Sequence, residues 1–328
     1  MEFDLVAVNQ LEHRDHSRKP FRGPVRPSFE FALLHPKYWL QWAAIGLLSL
    51  IWVVLPISWR DSLGKWCGAW LSKGRWPRRI PQNLQRCFPN LTQPEQERIT
   101  LEFCQAQACV LLDLPALWLS SPKKQFARVH VNGLEHLESV YQANRPVCLL
   151  VCHSLGMEHA ARALKWSYPM LGYYQPFGSR VIDWLFYRFR SDNGGYLLKR
   201  GESLRHLVRD LRDNWMLYMM IDEDMGEDEG HWVSFFAAQK CGIKAPAKLT
   251  AMAGATALPV YSWYNLDKQR YEIDILPALL DFPTGDSRAD VGLTLKVLEQ
   301  MIGCRVEQYN WRQKLFRSEN RHRASGEQ

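Results

Sequence analysis

The sequence predicts an α/β protein, a mixed sheet wound with crossover helices and preceded by one apolar anchor helix. Three observations predict it. Short apolar runs alternate with amphipathic, helix-length stretches, one uncharged segment lies near the N-terminus, and no internal repeat divides the remainder. A chain of 328 residues can bury one large core, or one core plus an anchor. The expected division is a flexible lead-in over residues 1–30, an anchor over 31–60, one domain over 61–317 and a polar tail over 318–328.

The uncharged segment, "YWLQWAAIGLLSLIWVVLPISW" from Tyr38 to Trp59, is long enough for a hydrocarbon core of about 30 Å. Trp39, Trp42, Trp52 and Trp59 lie near its ends, as in an aromatic belt. It starts late for a secretory signal and lacks a small-residue cleavage site. Pro56 should trim or kink its last turn. A buried core helix fits less well, because the segment has no polar face. Five Lys/Arg in residues 18–37 and six in 60–79 lean only slightly toward a cytoplasmic C-terminal domain. That near-symmetry leaves open a helix that dips into one leaflet.

Next, "TQPE" from Thr92 to Glu95 is a capping box with an early proline, opening a helix that runs toward Trp118. Six strands are expected at "VCLLVC" (147–152), "MLGYY" (170–174), "YLLK" (196–199), "MLYMMI" (216–221), "LPVYSW" (258–263) and "YEIDIL" (271–276). Helices such as "SLRHLVRDLRDN" separate them. The basic stretch "LKRGESLRHLVRDLR" (198–212) suits anionic headgroups, an acidic carrier protein or plain solvent.

Charge and cysteine usage narrow the partners. The balance of 41 Lys+Arg against 34 Asp+Glu favours an anionic partner, or serves solubility alone. The basic residues form no recognisable nucleic-acid reader, so no nucleic acid is expected. Eight cysteines occur without a CxxC pair, which reads as reduced thiols in a cytosolic domain and not a zinc site. The acidic run "DEDMGEDE" (222–229) departs from a calcium loop after its opening Asp-x-Asp, so no metal is expected.

Chemistry is expected at "HSLGME", where His153 and Glu158 follow an apolar strand. Ligands in α/β folds sit at the carboxyl ends of strands. Five residues at about 100° each separate the two side chains on any shared helix. His153 must therefore lie in the turn and Glu158 in the first turns of the helix. Glu158 is then expected to accept the proton of one ring nitrogen, freeing the other as a base. A capping His beside an exposed Glu is the structural alternative.

In order along the chain, "NLQRCFPNLTQPEQ" (83–96), "HSLGME", "QPFGSRVIDWLFYRFRSDNGG" (175–195), "IDEDMG" (221–226) and "VEQYNWRQKLFR" (306–317) follow the apolar segment. This set resembles the late (secondary) acyltransferases of lipid A biosynthesis, the lauroyl/myristoyl acyltransferase family, over residues 30 to 317. The family usually has Pro where Val306 stands and a more Thr/Ser-rich stretch at "CGIKAPAKLT". The resemblance implies a glycerolipid-acyltransferase-like fold at the inner membrane, with its active site facing the cytoplasm. It implies acyl-acyl carrier protein as donor, a Kdo-bearing lipid A precursor as acceptor, and no cofactor.

It also implies His153 and Glu158 as the catalytic dyad. Arg190 matches the family's arginine, for an acceptor phosphate or the developing oxyanion, with Arg188 as a second candidate. Asp222 and Asp224 fall beside the cleft, among the substrate-binding candidates, as hydrogen-bonding partners. Cys152, beside the base, is a poor nucleophile because an apolar strand disfavours its thiolate. The same His-x4-acid pattern serves glycerolipid- and glycolipid-directed acyltransferases, and a membrane-tethered lipid-binding protein could carry it without catalysis.

Overall fold

A computed structural model describes residues 28–192, 195–199 and 204–325. The lead-in therefore lies outside the described residues up to residue 27, as do residues 200–203 of the basic stretch and the last three of the tail.

The apolar segment is two helices, not one. α1 (Trp39–Val54) stops where Leu55 turns extended, and Pro56 caps α2 (Ile57–Ser72). Sixteen residues make α1 about 24 Å long. By length and composition, Pro36–Val54 passes as one candidate membrane span. It does not stand clear of the domain. Trp42 donates to the Leu33 carbonyl at 2.8 Å and packs edge-on to Trp184, and at the other end Trp52 donates to Asp113 at 3.0 Å. The opposite face, with Leu40, Leu47, Leu50, Val53 and Val54, is exposed. On α2, Gly64 and Gly68 let the backbone close onto the helix Gln93–Asp113, where a Cβ would meet Cys109 or Gln105 within 3 Å. That packing turns Trp59, Trp66 and Trp70 outward.

Four further helices complete the N-terminal part: α3 (Arg79–Cys87), α4 (Gln93–Asp113), α5 (Ala116–Leu119) and α6 (Pro122–Phe126). The capping box forms as read, the Thr92 amide donating to Glu95 at 2.8 Å. The chain then alternates: β1 (Val129–Asn132), α7 (Leu134–Gln142), β2 (Val147–Val151), α8 (Met157–Ser167), β3 (Met170–Tyr174), α9 (Arg180–Arg190), β4 (Gly195–Lys199), α10 (Leu204–Arg212) and β5 (Met216–Met220). A hairpin of β6 (Gly230–Phe235) and β7 (Ala238–Ile243), α11 (Ala245–Ala253), β8 (Thr256–Asn265), β9 (Arg270–Ile275), α12 (Ser287–Cys304) and α13 (Arg317–Ser325) follow. The polar tail is thus helical through Ser325, and residues 198–199 of the basic stretch belong to β4.

The main sheet has the order β1-β9-β8-β2-β5-β3-β4, with every pairing parallel except the β8–β9 hairpin. All six expected strands are present. β2 is central and buried along its whole length, which is why it reads as an unbroken apolar run. Side chains on its two faces enter two separate cores, Cys148 and Leu150 on one side and Val147, Leu149 and Val151 on the other.

Candidate active site

β2 and β5 are neighbours in register, Val151 beside Met220, so their carboxyl ends release His153 and Asp222 side by side. His153 Nδ1 lies 2.8 Å from Asp222 Oδ1, and the His153 amide donates to Oδ2 at 3.0 Å. An ionised carboxylate only accepts, so Nδ1 carries the proton and Nε2 keeps its lone pair. Burial opposes an imidazolium here, but the adjacent Asp222 outweighs it and the His153 pKa stands above its ordinary 6.5. Burial likewise opposes the Asp222 carboxylate, yet His153 and the donors around it hold its pKa well below the usual carboxylate range.

The expected contact from Glu158 is therefore corrected. Glu158 does begin α8 as predicted, one residue inside its N-terminus. Its carboxylate, however, is gripped by Arg190, whose Nε donates at 3.1 Å and whose Nη2 donates to the second oxygen. Asp222 was outside the reach of spacing arguments because it is 69 residues from His153. Arg190 belongs to the site, but its Nε–Nη2 edge is already occupied by a carboxylate. Its guanidinium also lies 5.1 Å from the centre of the Phe186 ring. Arg162 and Lys165, one and two turns after Glu158, reach Asp192 at 2.7 and 2.5 Å. Lys165 donates also to the Phe189 and Arg190 carbonyls, so α8 fixes the last turn of α9 where Arg190 sits.

The other candidates separate. Arg188 is exposed, 5.6 Å over the Trp184 ring, and is not on the cavity wall. Asp224 is buried and accepts from the Ser318 amide and hydroxyl. Neither aspartate lines the cavity: Asp222 bonds the turn at His153, whereas Asp224 bonds Gly226 and Ser318. Cys152 is buried, and burial beside Asp222 holds its thiol well above the ordinary range.

The motifs that carry the family resemblance meet at this turn. Tyr309 donates to Asp222 at 2.9 Å and Gln313 at 3.0 Å, two partners that the sequence alone did not single out. The Leu155 amide donates to the Gln308 carbonyl, and Asn310 donates to the carbonyl of His153. Asn83 in turn donates to the Trp311 and Gln313 carbonyls, and Phe88 packs edge-on to Trp311. Gly156 completes the turn, since a Cβ there would lie 2.6 Å from the Trp263 amide nitrogen.

His153, Glu158 and Arg190 open into a cavity of about 910 Å³. Its lining includes the apolar Leu171, Leu197 and Met219 with Tyr173, and the charged Glu223, Asp228, Lys244 and Lys248. The volume suits a ligand with a long apolar arm and a polar head.

The family model for bacterial lipid A biosynthesis acyltransferases matches residues 26–318. Among curated proteins, a lipid A biosynthesis acyltransferase of Haemophilus influenzae is 29% identical over 312 residues, covering 94% of this chain and 96% of its own. The lipid A biosynthesis lauroyltransferase of Escherichia coli is 29% identical over 300 residues (89% and 96%), and its myristoyltransferase is 27% identical over 297 residues (89% and 91%). The family model spans nearly the whole chain, turn and cavity included, and the chain belongs to the bacterial lipid A biosynthesis acyltransferases.

Proposed function

We propose that His153 is the general base of acyl transfer to a lipid A precursor, and that Asp222 takes the part in the dyad expected of Glu158. The acceptor hydroxyl gives its proton to Nε2 as its oxygen attacks the thioester carbonyl of an acyl carrier protein. The new C–O bond replaces the C–S bond, and the imidazolium returns the proton to the departing thiolate. Asp222 holds the tautomer and stabilises the imidazolium. The observation that carries this reading is the 2.8 Å contact from Nδ1 to a fully buried carboxylate, made by a histidine on the cavity wall.

Glu158 and Arg190 form one unit beside the base. The pair is neutral overall, and the side of the guanidinium that Glu158 leaves uncovered donates to the acceptor phosphate or the tetrahedral oxyanion without an uncompensated buried charge. The apolar lining of the cavity takes the acyl chain. The exposed faces of α1 and α2 support membrane association of a domain spanning 61–317, with the turn of His153 on the cytoplasmic side of the inner membrane and a glycerolipid-acyltransferase-like arrangement of base and acid.

The test is transfer of a fatty acyl chain from acyl-acyl carrier protein to a purified lipid A precursor. His153→Ala should fold, bind membranes and lose at least about 10²–10⁴-fold in rate. Retention of near-native transfer would place the base elsewhere.

A further inference from the structure

A second cavity of about 170 Å³ lies on the other side of α8, and none of its lining residues belongs to the active-site cavity. Glu158 and Arg162 face the large one, whereas His159 and Ala163 face the small one. Its remaining walls come from α1 (Trp52), the start of α2 (Arg60), the end of α4 (Asp113), α6 (Lys124) and Arg128. It would hold about six waters at roughly 30 Å³ each, too little for an acyl chain but enough for a tetrahedral oxyanion.

The groups around it are unevenly used. The single carboxylate on the wall, Asp113, is saturated: it accepts from Arg128 through both oxygens at 2.7 and 2.8 Å, from Trp52 at 3.0 Å and from Tyr271 at 2.9 Å. The nearby Asp61 is engaged by Tyr264 at 3.0 and 2.9 Å and by Gln269. The donors are not spent. Among the described residues neither ring nitrogen of His159 has a hydrogen-bond partner, nor has Nε of Arg60, though both side chains are more than nine-tenths buried. His159 is held there by a stack on Tyr271 at 3.7 Å, with Nε2 3.7 Å from Asp113, too far for a bond. Buried polar groups are normally satisfied. With both Asp113 oxygens taken, the wall carries the cations Arg60, Lys124 and Arg128 and a neutral His159 that has one N–H to give, so an anionic acceptor is the partner that fits, and no free carboxylate is left for a metal cation.

We propose that this cavity is a non-catalytic oxyanion site that takes a phosphate group, with Arg60, His159 and Lys124 as its donors. Trp52 and Arg60 place it at the elbow between α1 and α2, so a phospholipid headgroup and free phosphate are its two sources.

The test uses the full chain in detergent without phosphate. Thermal unfolding is followed while inorganic phosphate is titrated against chloride at equal ionic strength. In a second arm the protein is placed in vesicles of phosphatidylglycerol or of a phosphate-free galactolipid. Saturable stabilisation by inorganic phosphate identifies free phosphate as a ligand, and stabilisation only by phosphatidylglycerol identifies the headgroup. In either case the half-saturating concentration should rise tenfold or more in His159→Phe, which keeps the stack on Tyr271, and in Lys124→Glu, an exposed change that spares the fold. Arg60→Gln should act likewise, and if it does not fold the other two decide. No saturable response in either arm, or an unchanged midpoint in Lys124→Glu and His159→Phe, overturns the proposal.

Discussion

Two buried aspartates each stand beside a histidine, and the two pairs behave in opposite ways. Asp222 accepts a hydrogen bond from Nδ1 of His153 at 2.8 Å, while Asp113 stays 3.7 Å from Nε2 of His159. Both carboxylates are nearly inaccessible. What differs is competition. Asp222 is met by the neutral donors of Tyr309, Gln313 and one amide, and among the described residues no guanidinium bonds to it, so His153 is stabilised as a cation. Asp113 is claimed by Arg128, with Arg60 at 3.4 Å, and burial dominates for His159, pushing its pKa down to about 4. The same residue pair holds one histidine protonated on Nδ1 with its pKa raised, and leaves the other a neutral ring without a hydrogen bond among the described residues. Proximity of an acid to a histidine is not enough: the acid must have a lone pair to give.

The comparison breaks most sharply at Asp222. Asp222→Asn leaves the shape but removes the charge that orients His153, and transfer should fall by about 10²–10⁴-fold. The acid limb of the rate profile should also move. A base works when deprotonated, so native activity is lost as pH falls through the raised His153 pKa, and the variant's limb should lie at lower pH. An unmoved limb would detach Asp222 from the base.

Glu158→Gln should follow, with a smaller loss, because it weakens the grip on Arg190 and leaves His153 and Asp222 intact. Glu158→Gln combined with Arg190→Gln should cost less than the product of the single effects, since two partners of one ion pair do not act independently. Full additivity in transfer kinetics would show that the two residues serve separate steps.

His159 sharpens the comparison through stability. Its folded pKa of about 4 lies below its ordinary 6.5, so the unfolded chain binds the extra proton between those values. Stability contributed by keeping the ring neutral is present above pH 6.5 and lost as pH falls toward 4, by about 3 kcal/mol. His159→Phe should flatten that acid loss in chemical denaturation at pH 4.5 to 7, and an identical profile would contradict the burial argument. The smallest effect on activity is expected for Cys152→Ser. Transfer should persist, with about 1–3 kcal/mol lost for burying a hydroxyl in the strand. An acyl adduct trapped on Cys152 would instead demand a two-step mechanism.

Much of this was legible in the chain. The run "VCLLVC" reads as a central strand because both of its faces are buried, and Pro56 is expected to trim or kink the end of the apolar helix, which stops at Val54, though the second helix that follows is not foreseen. His153 does lie in a turn, with Glu158 just inside the next helix, although that placement rests on a contact between the two that the structure does not make. Some local structure was not legible. The β6–β7 hairpin turns through Phe236 at a φ of 50°, without the Gly, Asn or Asp that would have announced it. β1 is a four-residue edge strand, too short to carry a pattern.

Which acid holds which base was decided by the tertiary structure alone. Sequence spacing brings Glu158 near His153, but strand order brings Asp222 nearer, because β5 is the parallel neighbour of β2. Arg190 then closes on Glu158, the carboxylate that is left. The sequence by itself determined the residue types, the periods and the position of a histidine at a strand's end, since these depend on contacts within a few residues. Hydrogen-bond pairing, and the protonation that follows from it, depends on every donor that reaches a carboxylate, and those donors come from segments far apart in the chain.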